Sequence, residues 1–234
     1  MHLFDEEYFR RRRRRLVFNR RLLFLRQAFW NRVIKDSDGR RTILDLGCGE
    51  GLFLSYAVRA GYRAFGADIS ALALETAKET GVPVVLCDAT AVPFGDETFE
   101  IVTCFDVLEH LRDPSVALRE IGRVLRRGGL FVMSTPNTTS IGRKWKGENW
   151  FAYQDVTHVS LLSPKDWSEA LHRAQLLPVK EFWDVLWDPP YFRRIPRGVQ
   201  LVVFKPLLPL FYLGLVAFPW KCLGENIYFV CRKA

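Results

Sequence analysis

The chain has 234 residues and a mass of 27.1 kDa, is 49% hydrophobic and 26% charged, and holds 16 Gly and 12 Pro. That composition suits one globular domain with a sizeable core and argues against disorder, collagen-like repeats and coiled coils. The net charge of +8 sits entirely in residues 1–41, which carry 13 Lys+Arg against 5 Asp+Glu. The rest of the chain holds 21 of each and does not read as a nucleic-acid-binding surface. Five cysteines at wide spacing, with no C-x-x-C pair, speak against a zinc ribbon or disulfide framework and for a reducing compartment. A basic N-terminus without a following apolar stretch and small-residue cleavage site predicts no secretory signal.

A basic arm comes first, taken here as residues 1–38. Arg10 to Arg15 are consecutive, and Phe18, Leu22, Leu25, Phe29 and Val33 then recur at helical spacing, the stripe of an amphipathic helix. Asp36-Ser37-Asp38-Gly39 breaks it. From residue 39 to 234 strand and helix signals alternate. Strands are expected at Thr42–Leu46, Arg63–Ala67, Val84–Leu86, Phe99–Phe105, Leu130–Ser134, Val179–Val185 and Asn226–Arg232. Helices are expected at Leu52–Ala60, from Ser70 to Thr80, at Ser115–Leu125, and from Ser163 to Ala174. Ser70 and Ser163 are good N-caps, and Pro164 suits the first helical position. This alternation predicts an α/β fold: a Rossmann-like three-layer sandwich with a seven-stranded, mostly parallel sheet whose last strand is antiparallel. Between the last two strands lies a long insert, residues 187–225, rich in Pro, Phe, Trp and Leu.

Asp45-Leu46-Gly47-Cys48-Gly49-Glu50-Gly51 joins the first strand to the first helix. Glycines there allow a tight turn and close approach of a ligand, whose anionic group would face the helix start. Asp68 closes the second strand 21 residues after Gly47, and Cys87-Asp88-Ala89 follows the third strand, 20 residues beyond Asp68. A carboxylate at the end of the second strand accepts hydrogen bonds from ribose hydroxyls. In these segments, and in Asp106-Val107-Leu108-Glu109-His110-Leu111, Arg123–Gly129 and Ser134-Thr135-Pro136-Asn137, the chain resembles the class I S-adenosylmethionine-dependent methyltransferases over roughly residues 40–185 and 225–234. The resemblance implies S-adenosylmethionine as cofactor. It puts Asp45 and Gly47 by the methionine end, Gly49 and Gly51 along the cofactor's path and Asp68 on the ribose. It puts Ile69 against the adenine, Asp88 and Ala89 at the adenine edge, and Phe105 and Asp106 on the floor of the site. For Ile69 and Phe105, ordinary core packing is the alternative.

Methyl transfer is an in-line displacement in which the enzyme supplies alignment, and a hydroxyl acceptor also wants a base. Of four histidines, His2 is terminal and His172 falls on a helix surface. His158 is the preferred base and His110 the second catalytic candidate; for both, a structural hydrogen bond is the alternative. Asp106, Glu109, His110 and His158 would also suit a hard metal ion, but many relatives with Leu-Glu-His there use none, and no metal is assigned. The segment 137–153 carries Trp145, Trp150, Phe151 and Tyr153 with Arg143, Lys144 and Lys146. It reads either as a substrate-side lid or as a loop folded on its own hydrophobic cluster.

The arm alone suits an anionic membrane, a nucleic acid or packing on the body. The insert tilts this toward the membrane: the charge-free run Pro206–Trp220 has 15 residues, too few to span a bilayer, and Arg193, Arg194, Arg197 and Lys221 flank it. The expected function is O-methylation of a lipid-linked sugar, a glycan precursor or a quinone-like amphiphile by an enzyme peripherally bound to the cytoplasmic membrane face. The rivals are an RNA methyltransferase using the arginine arm and a non-catalytic scaffold on the same fold.

Overall fold

The computed structural model describes residues 30, 31, 34, 42–183, 195–204 and 224–234. The arginine run, the stripe from Phe18 to Val33 and the apolar run Pro206–Trp220 lie outside them. In chain order the elements are β1 (Thr42–Leu46), α1 (Leu52–Arg59), β2 (Arg63–Asp68), α2 (Ala71–Ala77), β3 (Val84–Leu86), β4 (Phe99–Phe105), α3 (Pro114–Val124), β5 (Leu125–Pro136), α4 (Ile141–Lys146), α5 (Pro164–Arg173), β6 (Leu176–Trp183), α6 (Arg197–Phe204) and β7 (Asn226–Lys233). Single 3-10 turns sit at Lys78–Thr80, Leu108–His110 and Gly147–Asn149.

Among the described residues, seven strands form one sheet in the order β3-β2-β1-β4-β5-β7-β6. β1 to β5 pair in parallel, and β7 runs antiparallel to both β5 and β6. Parallel neighbours require crossovers, which the helices between them supply. Strand order reverses between β1 and β4, so their carboxyl ends open a crevice there, the usual ligand position in such sheets. Alternate residues of the central strands feed two cores. Leu44, Val102, Phe131 and Phe229 meet Leu118 and Ile121 of α3 and Trp167 and Leu171 of α5 on one face. Ile43, Ile101, Val132 and Val230 meet Phe53, Leu54 and Ala57 of α1 on the other. Trp30 and Ile34 are buried in that second core.

The expected caps form. Ser70 Oγ accepts from the Ala73 N–H at 3.3 Å, and Ser163 and Asp166 close a reciprocal capping box. Asp113 caps α3 by accepting from the Ser115 N–H, and that helix starts at Pro114 rather than Ser115. Two strands begin earlier than the hydrophobic pattern indicates. α3 passes directly into β5 at Leu125, and β6 begins at Leu176 because Gln175, with φ +59°, reverses the chain immediately after α5. The short helices α4 and α6 were not expected. Among the described residues no helix is long and apolar enough to cross a membrane.

Candidate active site

The turn after β1 is held by its neighbours. Gly47 N–H donates to Ala67 O at 2.7 Å and Cys48 N–H to the same oxygen at 3.0 Å. Gly47 has φ +78°, and a Cβ there would lie 2.1 Å from Val107 Cγ2, so both the conformation and the space demand glycine. Gly49 (φ +52°) differs: a Cβ would meet nothing within 4 Å. Its N–H donates to Asp68 Oδ2 at 2.7 Å, while Asp68 Oδ1 accepts from Ser70 N–H at 2.8 Å. Asp68 therefore ties the glycine turn to the start of α2. A carboxylate offers about four acceptor sites, so two stay available for hydroxyl donors. Gly51 is the left-handed N-cap of α1.

Asp45 is buried at the end of β1, where it accepts from Thr103 Oγ1 of β4 at 2.7 Å. Asp88 is exposed and is ordered by accepting from both N–H and Oγ1 of Thr90, with buried Ala89 between them. Ile69 is 54% exposed beside Asp68, so core packing does not account for it. Phe105 packs in an aromatic cluster with Phe53, Trp30 and Tyr228. Asp106, at φ +56°, accepts from Ser134 Oγ at 2.7 Å. The thiols report how closely these groups gather. Burial, then Asp45 and Asp68, push Cys48 far above the usual range; burial, then Asp88 and Asp68, push Cys87 up to about 11. Asp45, Asp68 and Asp88 lie at or just past the carboxyl ends of β1, β2 and β3, beside the open space at Gly49, and the spare acceptor capacity of Asp68 fits the ribose of the adenosyl ligand that the resemblance implies.

Past β4, the rings of His110 and His158 lie 4.7 Å apart. His158 Nδ1 lies 2.8 Å from Ala152 O, and its Nε2 lies 3.9 Å from Asp155 Oδ2. His110 Nδ1 lies 2.8 Å from Thr157 Oγ1 and 3.2 Å from Thr157 O. Burial, and next the His158 ring, bring the His110 pKa down to about 4. Among the described residues, Glu109, His110 and His158 each bring one possible ligand atom within 4.8 Å of the others, so this trio could hold a metal ion. Asp106, turned to Ser134, does not join it.

The 137–153 segment holds both exposed and buried aromatics. Trp145 and Tyr153 are exposed, but Trp150 is fully buried against Phe151 and Tyr153. Lys146 is not a surface cation: its Nζ lies 2.7 Å from the Glu225 carboxylate, and both side chains are almost wholly buried. Asn137 N–H and Nδ2 donate to Glu225 O at 2.7 Å and Gly224 O at 2.9 Å. Sequence reasoning missed Glu225, Asp155 and Thr157. Asp155 and Thr157 were visible as neighbours of His158; nothing local pointed to Glu225.

A family model described as a methyltransferase domain matches residues 8–181. A ubiquinone biosynthesis O-methyltransferase of Alkalilimnicola ehrlichii is 32% identical over 149 residues, 59% of this chain and 58% of that protein. One of Chelativorans sp. is 31% identical over 170 residues, 68% and 66% of the two chains. The matches thus span about half to two thirds of these relatives' length. By fold, the chain resembles the crystal structure of a SAM-dependent methyltransferase, possible histamine N-methyltransferase, from Thermotoga maritima. The TM-score is 0.69 at 18% identity, covering 100% of this chain and 99% of that one. A SAM-dependent methyltransferase from Archaeoglobus fulgidus gives 0.65 at 22% identity, covering 93% and 99%. The family model covers most of the chain and the sheet order is that of these structures' shared fold, so the chain belongs to the methyltransferase domain family and has the fold of S-adenosylmethionine-dependent methyltransferases.

Proposed function

We propose that the enzyme methylates a hydroxyl group of a quinone-like amphiphile at the cytoplasmic face of a membrane. The observation that carries this reading is the setting of His158. A carbonyl can only accept, so the contact with Ala152 O puts a hydrogen on Nδ1 and leaves Nε2 of the neutral ring as the proton acceptor. An amine acceptor needs only positioning, whereas a hydroxyl sheds a proton as its oxygen bonds to carbon. The quinone class draws its support from the relatives' names, given that the chain spans only part of their length. The membrane draws its support from the arginine run and the charge-free run of the insert.

When bound, S-adenosylmethionine supplies a methyl group activated by its sulfonium. Asp68 and the glycine turn would hold the adenosyl end, and Asp45 would meet the methionine end. His158 Nε2 would receive the hydroxyl proton as the acceptor oxygen takes up the methyl group. Asp155 Oδ2, 3.9 Å away, faces the imidazolium so formed. Alignment of acceptor and methyl group contributes up to roughly 7–11 kcal/mol in favourable cases.

The test is transfer of labelled methyl by the purified full chain to a short-chain prenylated hydroxyquinol, to lipid-linked glycans and to RNA. Label is expected in the quinol. H158Q should lower kcat by about 10²–10⁴-fold with cofactor affinity unchanged, while D68A should abolish cofactor binding by calorimetry. Label in RNA or glycan instead, or unaltered kcat in H158Q, would overturn the reading.

A further inference from the structure

Thr157 is buried between two groups that it joins. Its hydroxyl contacts Asp155 Oδ1, which also accepts from the Thr157 N–H at 3.0 Å, and lies 2.8 Å from His110 Nδ1. A count of hydrogens fixes the direction of each bond. A carboxylate only accepts, so the single hydroxyl hydrogen of Thr157 goes to Asp155 and the hydroxyl oxygen is an acceptor toward His110. The Thr157 carbonyl, 3.2 Å from the same nitrogen, also only accepts. Nδ1 of His110 therefore carries a hydrogen, and the neutral ring keeps its lone pair on Nε2. Burial raises the pKa of Asp155, but the hydrogen bonds from Thr157 and the facing imidazoles outweigh it and hold the group below the usual range. The second oxygen of the same carboxylate faces His158 Nε2 at 3.9 Å. One charge thus addresses both imidazoles, through a hydroxyl to His110 and directly to His158.

We propose that Asp155 and Thr157 are positioning residues for methyl transfer: a carboxylate–hydroxyl relay that fixes His110 with its lone pair on Nε2 and sets a compensating charge beside His158. The second half rests on the reading of His158 as proton acceptor; the tautomer of His110 stands apart from it. No proton leaves Asp155 or Thr157 in the step. The acceptor's proton ends on His158 Nε2 and passes to water when the product departs.

The experiment uses the full chain with ¹⁵N-labelled histidine, comparing wild type, T157V, T157S and D155N. Proton–nitrogen correlation spectra read the tautomer without needing an acceptor. Wild type and T157S should show His110 with its hydrogen on Nδ1, and T157V, left with the carbonyl alone, a mixture of tautomers. With the prenylated hydroxyquinol as probe, T157V should lose about tenfold and D155N about a hundredfold in kcat, T157S should recover most of the loss, and KM for S-adenosylmethionine should stay within about twofold. A hydrogen on Nε2 of His110 in wild type would overturn the relay. So would wild-type tautomer and kcat in T157V, or loss of cofactor binding by calorimetry in T157V, which would mark a scaffold role. Should wild type leave the quinol unmethylated, the acceptor reading fails and the tautomer populations alone decide the relay.

Discussion

His110 is neutral in the folded chain at physiological pH because burial and the adjacent His158 ring disfavour its protonated form, bringing its pKa down to about 4. In the unfolded chain the ring titrates near 6.5. Between the two values the unfolded state binds more protons than the folded state. The contribution of His110 to stability is therefore complete above about pH 6.5 and is lost as pH falls toward 4, an effect on the order of 3 kcal/mol. Asp155, whose pKa is lowered on folding, adds to the same trend below the usual carboxylate range, where its contribution is lost as the group becomes protonated. Thermal melts of wild type and H110Q between pH 7 and pH 5 check this. The wild-type Tm should fall with pH and the H110Q profile should be flatter. Parallel profiles would assign the pH dependence to another group. At this scale the sequence was informative where chemistry is local. Asp45, Gly47 and Asp68 stand in one strand–turn–helix–strand unit, so their types and spacing expose their positions. The tautomer of His110 was not legible, because it depends on which atoms of residue 157, 47 positions away, face the ring.

The Lys146–Glu225 pair joins two elements that the hydrophobic pattern treats as unrelated. α4 has six residues and includes Gly142, too few for a helical period to register, and its one local signal is Ser140, whose Oγ accepts from the Arg143 N–H at 3.0 Å. Glu225 lies 79 residues further on, across the insert, so no spacing rule couples it to Lys146. In the fold the two are forced together. The end of β5 and the approach to β7 are adjacent strands, Asn137 clasps the carbonyls of Gly224 and Glu225, and Gly142 leaves the room that Glu225 fills, since a Cβ there would come within 2.5 Å of Oε1. Breaking a buried pair leaves one charge uncompensated and costs about 3–5 kcal/mol, whereas replacing both partners by apolar groups of similar volume is often neutral. Urea unfolding should accordingly show K146M destabilised by about that amount and the double variant K146M/E225L restored to within about 1 kcal/mol of wild type. Additive losses in the double variant would show that the two side chains act through separate partners. This pair anchors the segment that carries exposed Trp145 and Tyr153 to the approach to β7.

Seen as a whole, the molecule places its expected cofactor carboxylates at the carboxyl ends of β1, β2 and β3 because parallel strands joined by crossover helices all point the same way. That is why the sheet was legible from alternation, and the positions of these carboxylates from the glycine turn, their spacing and the resemblance, while the packing of Trp30 and Ile34 on α1 was not. The end of the arm packs on the body. Trp30 packs on Phe53 and Tyr56 of α1 and stacks 6.4 Å from Phe105 at the end of β4, Ile34 is fully buried, and Asn31 Oδ1 accepts from Tyr56 Oη at 2.7 Å. The matched family segment likewise begins at residue 8, so the arm shares the family's extent. Deleting the arm would therefore remove core contacts along with charge, and loss of membrane binding in such a deletion would be ambiguous. Replacing Arg10 to Arg15 by glutamine keeps Trp30, Asn31 and Ile34 and removes charge alone. Each arginine near an anionic surface contributes about 1 kcal/mol, so the six-fold variant should fail to float with vesicles rich in anionic lipid, with Tm and cofactor affinity as in wild type. Flotation equal to wild type would end the role of the arginine run at the membrane. Loss of a steeply salt-dependent affinity for RNA, with flotation intact, would instead assign the run to nucleic acid.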